Sequence, residues 1–230
     1  PRQMLEHGTF SFYPPVTDMD YEKYFLTDSF PPMVSFSYFW VFALYGAGQD
    51  FLVFIPVTLQ YVFLLIFGYK LAKEIYGEHH YGLMAMMLTS SSTLLFYSIV
   101  ICQETGLTAL SLMSLMYFLY KREAKWQDAC LASFATAIGA LSREYGGILV
   151  LCGIIIIICR KHNMTILGYY LLFCFLLIAP WYIRVFALTG NPFYSNPFAG
   201  LPVNPVHANI LNGYKESIGL QTYMSWKIIT

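Results

Sequence analysis

Residues 148–161 read Ile-Leu-Val-Leu-Cys-Gly-Ile-Ile-Ile-Ile-Ile-Cys-Arg-Lys. In a helix the isoleucines Ile154–Ile158 would cover every face of one turn, and no water-facing surface tolerates that. A helix apolar all round is buried in a large core or in a bilayer. The Arg160-Lys161 pair that stops the run marks its side, because short basic loops stay cytoplasmic.

The same unit recurs in both directions. Apolar stretches cover residues 51–70, 81–101, 104–120, 126–142, 145–160 and 165–187, each near the ~20 residues that cross about 30 Å of hydrocarbon. Three of the connecting loops are basic: Lys70 with Lys73, Lys121 with Arg122 and Lys125, and Arg160 with Lys161. The alternate loops carry Glu104, Arg143 with Glu144, and Arg184. The expected fold is therefore an all-α polytopic transmembrane bundle of about six spans, at residues 51–187. External segments precede it at 1–50 and follow it at 188–230. Residues 33–45 (MVSFSYFWVFALY) are apolar but short, and a seventh span there would turn the basic loops outward. They are expected to lie as an aromatic-rich helix in the outer interface. The alternative is a further span.

Composition agrees. The chain is 57% hydrophobic and 11% charged, against about 25% charged for soluble domains. A net charge of zero argues against nucleic acid as a partner. The cysteines Cys102, Cys130, Cys152, Cys159 and Cys174 have no disulfide or zinc spacing and read as small buried hydrophobes. The first residue is Pro1, and the expectation is a fragment truncated at both ends.

Ionisable groups at membrane level are costly and mark sites. Glu104 opens a span in Cys102-Gln103-Glu104-Thr105-Gly106. An acid there can answer the helix dipole, or serve as an active-site acid that binds a cation or orients a hydroxyl. Arg143 stands in Ser142-Arg143-Glu144-Tyr145-Gly146-Gly147, with almost no loop to spare. It can pair with Glu144, touch a lipid headgroup, or clamp a phosphate with its fork. The two glycines after it would admit a ligand close to the backbone. Arg184 follows Pro180-Trp181-Tyr182 and is either an interface anchor or a second phosphate contact. Of the acids Asp18, Asp20, Glu22 and Asp28 in the leading segment, Asp28 is the candidate substrate contact. His79 and His80 lack a third ligand for a metal.

These stretches together resemble the N-terminal membrane half of the GT-C glycosyltransferases. The resemblance rests on Lys-Leu-Ala-Lys-Glu-Ile-Tyr-Gly (70–77), the acid Glu104, Leu-Ser-Arg-Glu-Tyr-Gly-Gly (141–147), Ala-Pro-Trp-Tyr-Ile-Arg (179–184) and Leu-Thr-Gly-Asn-Pro-Phe-Tyr (188–194). Protein O-mannosyltransferases and aminoarabinose transferases of prokaryotes are the most similar branch. The resemblance implies a transferase that takes a polyprenyl-phosphate sugar as donor. The acceptor would be a lipid, glycan or protein. It would work on the outer face of the plasma membrane, with a divalent metal ion as a candidate cofactor. It also implies that Glu104 is the second external acid, that Arg143 contacts the lipid phosphate, and that Pro1–Gly8 follows a catalytic Asp lying upstream of Pro1. Many relatives carry a Lys just before the proline pair, where this chain has Ser29-Phe30 ahead of Pro31-Pro32. A transporter or flippase, or a non-catalytic membrane scaffold, are the alternatives.

Overall fold

The computed structural model describes residues 32–46, 50–100, 104–194 and 200–202. All regular elements among them are helical. Helix α1 is Met33–Tyr45. A 3₁₀ turn, Asp50–Val53, leads into α2, Phe54–Tyr76. Then come α3 (His79–Ser90), α4 (Thr93–Val100), α5 (Thr105–Tyr120) and α6 (Trp126–Ala140). A second 3₁₀ turn, Glu144–Gly147, opens α7 (Ile148–Cys159), and α8 runs Met164–Thr189 with Pro180 inside it. The chain divides into two compact units at Ala179 and Pro180. Proline lacks the N–H that would continue the helical ladder at that point.

The isoleucine run behaves as its sequence demands. In α7 Leu149, Gly153 and Ile157 are buried, while Leu151, Ile155 and Ile158 are exposed. The same outward greasiness covers α2, α3 and α8, where Phe63, Met87 and Phe175 are exposed. An apolar belt of this extent suits hydrocarbon, not water.

Length qualifies the expectation of six spans. Among the described residues two stretches, Phe51–Tyr76 and Met164–Thr189, are long and apolar enough to cross a membrane, and a third counts only if a bent pair is one span. That pair is α3 and α4, which meet at 63°. The expected continuous span over 81–101 is therefore broken. The cause lies in Thr89-Ser90-Ser91-Ser92-Thr93, a run of hydroxyls that compete with the backbone for hydrogen bonds. Ser90 and Ser91 hydroxyls donate to the Met87 and Leu88 carbonyls at 2.9 Å each, and Ser92 Oγ accepts from Leu95 N–H at 3.4 Å. Helices α5 and α6, at 16 and 15 residues, reach only about 22–24 Å each.

Within the first unit α5 is central and packs against α2, α4, α6 and α7. Small residues allow this. Ala129, Ala132, Ser133, Thr136, Gly139 and Ala140 of α6 are all buried, the composition that lets membrane helices approach closely. A polar seam fixes α8 onto this face. Thr136 Oγ1 and the Tyr170 hydroxyl lie 3.0 Å apart, Tyr170 donates to the Leu149 carbonyl at 3.2 Å, and Ser133 donates to the Tyr170 carbonyl at 2.9 Å. A side chain at Gly153 would overlap that tyrosine.

Candidate functional site

The helices sort the charges by end. At the α5–α6 turn Lys121 meets Asp128 at 2.5 Å. Arg160 lies over the Tyr120 ring at 4.3 Å, and His162 Nε2 donates to the Leu119 carbonyl at 2.8 Å. Lys70 approaches the Tyr117 ring at 5.6 Å. The three basic loops thus gather around the C-terminus of α5, where the helix dipole favours cations. Lys73 and the Tyr69 hydroxyl hold the ring of His79 at 3.2 and 2.5 Å, and His80 meets Glu78 at 3.0 Å, so both histidines have partners.

Glu104 and Arg143 lie at the other end of α5. The Glu104 backbone is already helical (φ −62°, ψ −16°), its carbonyl accepts the Thr108 N–H at 2.9 Å, and its side chain makes no capping bond. The carboxylate instead meets Nη2 of Arg143 at 2.5 Å. Arg143 stands in extended backbone (φ −152°, ψ 155°) just before the 3₁₀ turn, and its carbonyl accepts the Gly146 N–H at 2.9 Å. Its guanidinium also lies 6.0 Å from the Tyr145 ring. The side chains are 37% and 20% exposed, so a polar ligand reaches the pair without entering the bundle. The sequence offers Glu144 as a local partner, but that side chain lies outside the described residues.

The glycine expectation is half corrected. A Cβ at Gly146 would overlap the Gly139 carbonyl oxygen, so Gly146 seats the turn against the end of α6 and leaves no room for a ligand. Gly147 faces open space. The sequence signal for this packing was the small pair Gly139-Ala140 closing α6. Nearby, the Met33 N–H donates to the Leu141 carbonyl at 3.0 Å, which fastens the start of α1 to the Arg143 end of the bundle.

Arg184 belongs to the second unit, where its guanidinium lies 5.8 Å from the Trp181 ring. There Gly190 closes α8 at φ +75°, and Asn191 orders the next turn by accepting from Phe193 N–H and donating to the Pro202 carbonyl, both at 2.8 Å. Asp28, the other leading acids and Pro1–Gly8 lie outside the described residues, as does Cys102. Among the described residues no three His, Cys, Asp or Glu side chains converge. A divalent ion at Glu104 would compete with Arg143 and would draw its other ligands from elsewhere in the chain.

An all-helical architecture with a lipid-suited exterior and an acid–arginine pair at one end defines an integral membrane protein. Residues 29–183 match the dolichyl-phosphate-mannose-protein mannosyltransferase family, and the chain belongs to that family of GT-C glycosyltransferases. No curated protein and no solved structure matches it.

Proposed function

We propose that this protein moves a sugar from a polyprenyl-phosphate donor to a hydroxyl acceptor at the non-cytoplasmic face of a prokaryotic plasma membrane. The observation that carries the reading is the Glu104–Arg143 pair, set at the opposite end of α5 from the basic loops. The positive-inside rule assigns the basic end to the cytoplasm and the pair to the outside. Arg143 is the phosphate contact. A guanidinium fork serves more than one acceptor, so it can hold a carboxylate and a phosphate oxygen together. Glu104 is the acid of the site, and the cation that it binds is Arg143. Displacing a lipid phosphate needs an acceptor base and positive charge on the leaving group, and Arg143 supplies that charge as it develops. Arg184 and Asp28 are proposed as further substrate contacts and a divalent metal ion as a cofactor, which titration with Mg²⁺ and Mn²⁺ tests.

The test is transfer from defined polyprenyl-phosphate sugars by the purified protein in liposomes. Labelled acceptor supports the reading, and donor that stays intact across all sugars and acceptors overturns it. One observation favours a transporter instead: the 63° break between α3 and α4, because transporters bind at discontinuous helices. Flux of the lipid-linked sugar across the same liposomes, without transfer, would support that reading.

A further inference from the structure

We infer that Glu104 sets the charge of the phosphate that Arg143 prefers, and by doing so drives the spent carrier out of the site. The inference rests on the proposed phosphate role of Arg143. During transfer the acceptor oxygen bonds to the anomeric carbon, and the bond from that carbon to the phosphate oxygen breaks. The electron pair stays on the phosphate. The acceptor proton passes to a base at the site. The donor is a phosphodiester with a single negative charge. The product is a phosphomonoester, with a charge of about −1.5 to −2 near neutral pH.

A lone arginine would hold such a product more tightly than the donor, since attraction scales with charge. The product would then poison the site. Glu104 removes that bias. With its carboxylate 2.5 Å from Nη2, Glu104 offsets much of the arginine's charge as seen by a third group. Extra negative charge on the phosphate gains little from Arg143 and is repelled by Glu104. The pair is part-screened at 20% and 37% exposure, so water does not erase the effect. The Glu104 side chain makes no capping bond and is turned to Arg143 instead. Glu104 is a specificity-determining residue that acts on the ligand through Arg143.

The test uses the whole protein in nanodiscs at pH 8 and low salt. Two probes differ by one charge: citronellyl phosphate, a monoester, and citronellyl methyl phosphate, its diester. Wild type should bind the two with similar affinity. Glu104→Gln should tighten the monoester about tenfold and the diester no more than about threefold. Glu104→Asp keeps the charge and should keep the wild-type ratio. That ratio does not depend on how much of a variant folds. Arg143→Ala should lose both ligands. If Glu104→Gln shifts both ligands equally, or neither, while Arg143→Ala loses both, the inference falls and the phosphate role stands. If Arg143→Ala binds both ligands like wild type, the phosphate role falls and takes the inference with it.

Discussion

Asp128 and Glu104 are both acids at the start of a central helix, and each meets a cation at 2.5 Å. Their surroundings differ. Asp128 is 12% exposed, accepts the Lys125 N–H at 2.9 Å, and takes its cation from Lys121, one turn of chain away. Its bonds are local and all serve to start α6. The Glu104 side chain makes no cap bond to its own helix and binds a cation on a different connection, beyond α6. An acid that closes its own turn is structural. An acid that turns from its own helix to a distant arginine ties two connections together at an accessible end.

The comparison breaks most sharply at Arg143. Arg143→Ala should weaken donor use by about 2–5 kcal/mol, toward the lower end because the guanidinium is 37% exposed. Arg143→Lys should recover part of this, because charge remains and the fork is lost. Donor titration measures both, and wild-type affinity in the two variants would make the pair structural. Next, Glu104→Gln should lower turnover roughly ten- to a thousand-fold while shifting the melting temperature little. Equal turnover would remove the contrast with Asp128.

Smaller effects follow from packing and caps. Gly146→Ala should destabilise by about 1–3 kcal/mol, because its Cβ meets the Gly139 carbonyl and the turn must move. Thermal unfolding reads that loss, and donor affinity should fall with it as Arg143 shifts. Asp128→Ala should cost about 1–2 kcal/mol of stability and leave the rate per folded molecule unchanged. A rate loss there would mean that both acids act at the site. Orientation is checked separately. Cysteines at Lys161 and Glu123 should resist a membrane-impermeant thiol reagent, and one at Pro192 should react. Outside labelling at Glu123 would invert the membrane sidedness assigned to the pair.

Helix positions were legible because apolar composition and charged stops act locally. The stop at Arg160-Lys161 and the Gly190 turn fall where the residues require. The break at Ser90–Ser92 was written in five adjacent hydroxyls, but average hydropathy hides it. Those side chains are polar too weakly to end an apolar stretch, yet they redirect its hydrogen bonds. The candidate pair was half legible. Isolation at the end of spans picked out Glu104 and Arg143 singly. Their contact arises from the way α5 packs on α6, which depends on small residues scattered through both helices. Gly146 shows the same limit. Its neighbour is the Gly139 carbonyl, and no local rule connects the two.

The clamping of α5 at its far end bears on how fast the pair can open. Leu119 is bonded to His162 and Lys121 to Asp128, so sliding α5 lengthwise would break those contacts before it freed Arg143. The pair can then open by a turn of the Glu104 or the Arg143 side chain, without a shift of the helix. Rotamer turns of part-exposed residues take picoseconds to nanoseconds, whereas helix shifts take microseconds to milliseconds. Any loosening of the pair that lets a further oxygen join the carboxylate at Arg143 is therefore fast beside a movement of the helices.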